Sequence, residues 1–320
     1  MFSKLTPYAT AAARQPIFQQ ETRRLPWAGD ARALVRLSVR RIVRVALISM
    51  AAVCVVGMLV MILSELGTPS SQRSTAMRLF DAIPIMLFSG AFVLGLIGLI
   101  MGLQVDFHSI SASITLINGD VMTGRWDLYR LAGIREGHFT VGKHGVAQMR
   151  AWRTVMNVIG VRIGAIILYV VSSAINAFYI DSYLGAGSSS TSVAFLEFVL
   201  SIILILTSGW FFLIEPILRL RMMTAIGLMV SAHVREPNMS PLAGFGVTFG
   251  LWVMQLAILG AMGCGGAALF FPLLLFGGGI CGIPVLFGLL IAALYAYYDI
   301  FKNYALRRVA FRLARLESTP

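Results

Sequence analysis

Side chains that could perform chemistry are few in this sequence, and they do not converge. Its four histidines all lie outside the long apolar segments, so no such segment carries a pair that could ligate haem or a metal: His108, His138, His144 and His233. The motifs HExxH, GxSxG and GxxxxGK[ST] do not occur in the sequence. We therefore expect no catalytic centre, no metal site and no cofactor, and any ATP hydrolysis would come from a separate protein.

Ionisable residues inside the apolar segments are the next candidates, because a charge at membrane depth usually marks a function. Arg162 lies about two turns into one segment, Glu197 lies just inside another, and Glu215 lies at the far end of that one. The simpler interpretation is that Arg162 extends back to the membrane surface and that Glu197 sits near the opposite one. Three amides are predicted to form hydrogen bonds between helices: Asn157, Asn176 and Gln255.

The longest interior polar segment, 106–153, contains a short amphipathic run, RWDLYRL. Trp126, Leu128 and Leu131 are its apolar members, and Gly124 precedes it. Gly133 follows it and is predicted to end a helix. We expect a short helix held just below the membrane. It either docks in a groove of a partner protein or lies on lipid, and the sequence leaves both interpretations open.

A second amphipathic stretch precedes the first apolar segment. Asp30 is a good N-cap, and four arginines recur after it at every fourth position: Arg32, Arg36, Arg40 and Arg44. Such a cationic stripe predicts an interfacial helix lying on the bilayer with its guanidinium groups near lipid phosphates. The alternative is a solvated face that runs directly into the first membrane span.

The elements around these residues are predicted to be membrane spans. Apolar residues make up 58% of the chain and charged residues only 12%, whereas a soluble domain has roughly a quarter charged residues. The apolar blocks have the ~20 residues needed to cross the bilayer. Six spans are predicted, near 45–64, 83–105, 155–178, 193–214, 246–270 and 284–301. The glycine-broken stretch 271–283 is predicted to be an apolar hairpin or a re-entrant piece.

The distribution of Lys and Arg predicts an orientation for these spans. The net charge is +12, but the basic residues flank apolar blocks and do not cluster on a soluble domain, which argues against nucleic-acid binding. Segments rich and poor in Lys and Arg alternate along the chain. The positive-inside rule then places the leader 1–44, the loop 106–153 and the tail 302–320 in the cytoplasm, with the spans in the plasma (inner) membrane.

The polar stretches together resemble a known family. DVMTGRWDLYRLAG after the second span is similar to the cytoplasmic helix of permease subunits of type 2 ABC exporters, through Gly124, Asp127 and Leu128. Lys143 resembles the lysine that precedes their third span. The leader RQPIFQQETRR resembles the stretch that opens their interfacial helix, through Pro16, Glu21 and Arg23. Arg125 departs from the family pattern, which has Thr there, and so does Ala132-Gly133 in place of Thr-Pro.

The resemblance implies an all-α membrane protein of about six transmembrane helices that works as an exporter permease. A homo- or heterodimer with a second permease subunit would form in the lipid bilayer, and each subunit would dock a separate ATP-binding subunit through the helix near 124–131. The residues implied in that coupling are Gly124, Arg125, Trp126, Asp127, Leu128 and Arg130, with Trp126 and Leu128 as the wedge into the partner. The alternative is a non-transporting membrane scaffold or an accessory subunit of a larger membrane complex.

Overall fold

The computed structural model describes residues 15–23, 31–66, 75–184, 191–234, 239–275 and 279–315. Within these ranges every regular element is a helix, which confirms the expected all-α class. The helices are α1 (Pro16–Thr22), α2 (Ala31–Leu66), α3 (Thr75–Ser113), α4 (Leu116–Met122), α5 (Arg125–Leu131), α6 (Glu136–Leu184), α7 (Thr191–His233), α8 (Ser240–Leu275) and α9 (Gly279–Arg315).

Four helical stretches among the described residues are long and apolar enough to cross a membrane. They are Arg32–Leu63, Ala82–Met122, Glu136–Asn176 and Ser240–Ile258. A chain with several such stretches is supported as a multi-pass membrane protein. The fourth and sixth predicted spans fall in α7 and α9, where the side chains of residues 191–205 and 279–287 lie outside the described residues.

Helix α2 differs from the expectation of a separate interfacial helix. It is continuous over 36 residues and contains both the arginine stripe and the first predicted span. At ~1.5 Å per residue it extends about 54 Å, well beyond the ~30 Å of hydrocarbon. No glycine or proline occurs between residues 31 and 56, so nothing favours a bend between the two parts. The four arginines are exposed on the N-terminal extension of the span helix.

Helix α7 likewise continues where the sequence predicted an end. The predicted fourth span ends at residue 214, just before Glu215-Pro216, yet the helix runs through Pro216 to His233. A proline removes one backbone hydrogen bond, and helices in membrane proteins tolerate that loss when neighbouring groups compensate. Here an ion pair joins one turn to the next across the proline: Arg219 Nε lies 2.7 Å from Glu215 Oε1.

The region 271–283 is helical wherever the structure describes it, since α8 continues to Leu275 and α9 begins at Gly279. Residues 276–278 lie outside the described residues. Any hairpin between the two helices is therefore shorter than the thirteen residues that the sequence predicted.

The chain divides into two compact units. One comprises residues 38–102 and 156–196. In this unit α2 and α6 approach closely at Gly160 and Gly164, a small-residue pair at the GxxxG spacing. A Cβ at Gly160 would lie 2.8 Å from Val45 Cβ and 3.0 Å from the Ile42 carbonyl oxygen. Arg41 Nε donates to Asn157 Oδ1 at 2.8 Å between the same helices, which confirms the predicted role of Asn157.

Arg162 belongs to the same unit and does not extend to the membrane surface as the sequence suggested. It is 1% exposed. Its Nε donates to the backbone carbonyl of Gly98 in α3 at 3.3 Å. A buried guanidinium that bonds a neighbouring backbone ties α3 to α6.

The other unit comprises residues 1–37, 103–155 and 197–320. Its core is formed where the end of α3 packs with α7, α8 and α9, around Ile110, Ile114, Met223, Ile226 and Tyr298. A Cβ at Gly227 of α7 would lie 1.9 Å from Ser113 Oγ of α3, so the two backbones are in close contact. This packing fixes the point from which α4 and α5 leave the helical core.

Candidate functional site

Helix α5 is a seven-residue helix enclosed by two glycines in the left-handed conformation. Gly124 has φ +68° at its N-cap and Gly133 has φ +74° after its end. Gly133 N–H donates to the Arg130 carbonyl at 2.8 Å and Ile134 N–H to the Tyr129 carbonyl at 3.1 Å, the two bonds of a Schellman ending. The predicted helix stop at Gly133 is confirmed. Both sharp turns depend on the freedom of glycine at positive φ.

The orientation of α5 is set by two aromatic side chains that stack on α6. Trp126 is 3% exposed, and its ring centroid lies 4.7 Å from that of Phe139. Tyr129 contacts the same Phe139 ring at 5.6 Å. Leu128 and Leu131 point the other way and are 65% and 86% exposed. The expectation that Trp126 inserts into a partner is wrong for this arrangement, because the ring is an internal anchor; the exposed apolar residues are the two leucines.

The polar residues of α5 are exposed beside those leucines. Asp127 and Arg130 approach to 4.0 Å on adjacent turns, and Arg125 is exposed at the start of the helix. A solvated ion pair of this kind contributes only about 0–1 kcal/mol to stability. The outer face of α5 therefore presents two large apolar side chains surrounded by charges of both signs.

Below α5 lies a buried cation that joins three elements. The side chain of Lys143, 1% exposed, pairs with Glu21 of α1 and with Asp120 of α4. Its Nζ also lies 5.5 Å from the centroid of the Phe139 ring, which Trp126 and Tyr129 contact. We call Glu21, Asp120 and Lys143 the charge clamp. It fixes α1 and α4 to α6 directly beneath α5.

Helix α1 is held at the clamp by apolar contacts as well. Ile17 and Phe18 are fully buried, and Gly142 of α6 leaves room for them: a Cβ there would lie 3.6 Å from Ile17 Cβ and 2.7 Å from Gln15 Oε1. Helix α1 is thus an integral part of this site, where the sequence alone suggested a resemblance through Pro16, Glu21 and Arg23.

Tyr129 is affected electrostatically by the clamp. Burial raises the pKa of its hydroxyl above the ordinary value; Lys143 opposes that shift, while the carboxylates of Asp120 and Glu21 reinforce it. The phenol therefore stays neutral at physiological pH and acts only as an apolar and hydrogen-bonding contact.

Lys143 also lies in a sequence, GHFTVGKH, that differs at one position from the phosphate-binding motif GxxxxGK[ST]. The last position is His144 where that loop needs Ser or Thr. The backbone is helical from Glu136 onward, so its N–H groups cannot turn inward around a phosphate. With its ammonium held by two carboxylates, Lys143 has a structural role.

A second charge cluster lies in the core of the same unit, and the sequence indicated only part of it. Asp106 of α3 accepts from Arg219 Nη1 at 3.0 Å and from Trp252 Nε1 at 2.8 Å. Arg219 also pairs with Glu215, which accepts from Tyr298 Oη at 3.0 Å. We call these residues the core network. It joins α3, α7, α8 and α9.

Gln255 completes the core network, which confirms its predicted role between helices. It accepts from Arg219 Nη2 at 3.3 Å, and its Nε2 donates to Tyr298 Oη at 3.2 Å. Sequence reasoning missed Asp106, which stands at the edge of the second predicted span, and Arg219. The available signal was the spacing of Glu215 and Arg219, four residues apart, which places opposite charges on one helix face.

Among the described residues, no group of three His, Cys, Asp or Glu side chains is arranged to hold a metal ion. The described residues do show an exposed face of α5, with two leucines and charges of both signs, above a buried charge clamp. No family model, no curated protein and no solved structure matches this chain.

Proposed function

We propose that this protein is the permease subunit of an ATP-driven exporter of the type 2 ABC class, and that α5 transmits the movement of a separate ATPase to the membrane helices. One observation carries the proposal. Three separated stretches resemble that family, around Glu21, Gly124–Leu128 and Lys143, and they come together at one site. Stretches separated by more than a hundred residues that form one site in the fold are what a shared role would require.

The exposed surface of α5 is suited to a groove in a soluble partner. Leu128 and Leu131 protrude, while the buried Trp126 beneath them holds α5 against α6 when a partner presses on it. Apolar side chains at the centre of a contact, with charges at its rim, are the usual composition of a protein interface. In this proposal the occupant is the ATP-binding subunit, and Arg125, Asp127 and Arg130 form the rim.

The proposed topology has six membrane helices, α2, α3, α6, α7, α8 and α9, in the plasma membrane with both chain ends in the cytoplasm. The alternation of Lys and Arg along the sequence supports it. This orientation puts α5 and the charge clamp on the side where ATP is available.

The proposed mechanism is a rigid-body change driven by the partner. When two ATP-binding subunits close, they displace α5, and the Trp126–Phe139 stack passes the displacement to α6. Helix α6 is continuous from Glu136 to Leu184, so a push at its beginning moves the whole helix. Two permease subunits would alternate in this way between inward-facing and outward-facing states.

The test is stimulation of ATP hydrolysis. The full chain is purified with the ATP-binding protein that accompanies it from native membranes, and hydrolysis is measured in lipid nanodiscs. We expect Leu128→Ala with Leu131→Ala to remove most of the stimulation, because both side chains are outside the fold. The matched control is Leu59→Ala with Leu63→Ala, two leucines of similar exposure on α2.

Equal loss in both double variants would contradict the docking role of α5. If native purification instead yields a stable complex that contains no ATPase, the alternative holds, and the protein is a scaffold or accessory subunit of a membrane complex. The departures from the family pattern at Arg125 and Ala132-Gly133 are the observation that favours this second function.

A further inference from the structure

The C-terminal part of α9 has two faces of different chemistry. Its inner face packs into the protein through three buried residues spaced four apart: Ala305, Val309 and Leu313. Its outer face carries aromatic and cationic side chains at positions that a helix brings to one side: Tyr304, Arg307, Arg308, Phe311 and Arg315. The inner face explains why this stretch is folded, and it does not account for the composition of the outer face.

The outer face is ordered by contacts between its own side chains. Arg308 stacks over the Tyr304 ring with its guanidinium carbon 5.2 Å from the centroid, and its Nε donates to Tyr304 Oη at 3.0 Å. Arg315 lies 4.3 Å from the Phe311 centroid. Stacking fixes the plane of a guanidinium while its edge N–H groups remain able to donate to an anion.

A recess of about 420 Å³ opens on this face. It is lined by Tyr304, Arg307, Arg308 and Phe311. Two guanidinium groups and two aromatic rings around a recess match the needs of a phosphodiester with an attached alkyl chain. Guanidinium groups bind phosphate oxygens through paired N–H donors, and rings cover the apolar part.

The charge of the segment is of one sign. From Lys302 to Arg315 the sequence contains five basic residues and no acidic one. Lys302 lies 2.5 Å from Asp299 on the preceding turn, so its charge is compensated within α9. The outer face is therefore a cationic surface that an anionic partner would complement.

We propose that this outer face of α9 binds the headgroups of anionic phospholipids. The argument rests on the topology of the proposed function, in which the last span ends near residue 301. Tyr304 then lies roughly 4–5 Å beyond the hydrocarbon, and Arg307 and Arg308 about 10 Å beyond it. The headgroup layer occupies about this depth, where aromatic rings and arginines concentrate. A polybasic segment beside a span is attracted to anionic lipid.

The test is lipid binding to the purified full chain, measured by native mass spectrometry with phosphatidylglycerol and, for comparison, phosphatidylcholine. We expect Arg307→Ala with Arg308→Ala to weaken phosphatidylglycerol binding about tenfold or more, because the variant loses two cations that attract anionic headgroups. Binding of phosphatidylcholine should be unchanged. The control is Arg135→Ala with Arg150→Ala, which removes equal charge from two exposed positions elsewhere.

A second variant separates a formed site from general attraction. Arg308→Lys keeps the charge but loses the stacked, forked donor, and we expect at least a threefold weaker affinity for phosphatidylglycerol. Equal affinity of the wild type and the Arg307/Arg308 double variant would overturn the proposal and would favour an acidic protein as the partner of this face. Equal losses in the double variant and its control would overturn it as well. The assay contains no ATPase, so failure of α5 docking would not affect its outcome.

Discussion

Lys143 and Arg219 are both buried cations that face two carboxylates, and neither could be exchanged for a neutral residue without leaving negative charge in the protein interior. Lys143 serves the charge clamp and Arg219 the core network. Removing one partner of a buried ion pair costs about 3–5 kcal/mol, because the remaining charge is left desolvated. Both cations therefore stabilise the unit formed by residues 1–37, 103–155 and 197–320.

The first prediction compares two changes in the charge clamp. Lys143→Met should lower the melting temperature strongly, with a free-energy cost of about 3–5 kcal/mol, since Glu21 and Asp120 remain without their cation. Glu21→Gln should cost about 1 kcal/mol, because Lys143 keeps Asp120 and the amide can still accept a hydrogen bond. Thermal unfolding in detergent measures both. A cost for Glu21→Gln equal to that of Lys143→Met would refute the ordering.

The second prediction concerns the aromatic anchor of α5. Trp126→Ala should remove a buried contact worth about 3 kcal/mol or more and so loosen α5 while the rest of the chain stays folded. Hydrogen exchange should become faster across residues 124–134 only. Leu128→Ala is the matched control, and its exchange should not change because the side chain makes no buried contact. Unchanged exchange in Trp126→Ala would show that the ring is not the anchor.

Residue types in the sequence predicted which side chains make some of these contacts but not which face of a helix is buried. The roles of Asn157 and Gln255 followed from a simple rule, that an amide inside an apolar helix seeks a partner on another helix. The burial of Trp126 did not follow from the sequence, because Trp126 and Leu128 are both apolar and either could face the protein interior. Only the position of Phe139 in the fold shows that the Trp126 side is the buried one. Asp106 lacked any local signal, since its partners come from α7 and α8.

At the element scale, α5 depends on its two glycine turns. Gly124→Ala and Gly133→Ala should each destabilise the protein by about 1–2 kcal/mol, because both positions have positive φ and a side chain there is strained. A Cβ at either position would meet no described atom within 4 Å, so a steric clash adds nothing to this cost. Gly137→Ala is the control: it has the same open surroundings within helix α6, and it should be neutral or stabilising. Chemical or thermal denaturation compares the three. Destabilisation by Gly137→Ala of similar size would contradict the backbone explanation.

The close approach of α2 and α6 gives a fourth prediction. Gly160→Leu should destabilise the protein by several kcal/mol, since its Cβ would approach the Ile42 carbonyl to 3.0 Å and backbone cannot move aside cheaply. Gly95→Leu should be tolerated, because a Cβ at Gly95 would meet no described atom within 4 Å. The yield of monodisperse protein and its melting temperature measure the difference. Equal tolerance of the two leucines would mean that α2 and α6 do not meet at Gly160.

Helix boundaries were the least predictable elements, and the reason is physical. The basic stretch before the first span and the Glu215-Pro216 pair both carry local signals for an end, yet α2 and α7 continue. In α2 an unbroken row of buried positions, from Leu34 through Ser38 and Ile42 to Ala46, keeps the helix packed on one side. Such tertiary contacts outweigh weak local preferences, and they are invisible in one sequence.

At the scale of the whole molecule, the proposed function depends on which side of the membrane each polar segment occupies. Six spans put α5 and the segment near residue 188 on opposite sides. A chain that crossed only through the four apolar stretches found among the described residues, with α7 and α9 left outside the hydrocarbon, would move the connection between α7 and α8 to the other side of the membrane. The side of α5 is the same in both arrangements, whereas the lipid proposal requires that α9 crosses the membrane and that its span ends near residue 301.

The fifth prediction tests this with single cysteines in a chain whose three native cysteines are replaced by alanine. Leu131→Cys, on the exposed end of α5, should resist a membrane-impermeant thiol reagent in intact cells and react in inverted vesicles. Ser188→Cys should do the reverse, and both His233→Cys, at the exposed end of α7, and Arg307→Cys should behave like Leu131→Cys. Ser188→Cys and His233→Cys react on opposite sides only if α7 crosses the membrane once between them. Arg307→Cys then reacts on the side of His233→Cys only if α8 and α9 cross as a pair. Reaction of Leu131→Cys in intact cells would exclude a cytoplasmic ATPase as the partner of α5, whatever the resemblance of the sequence.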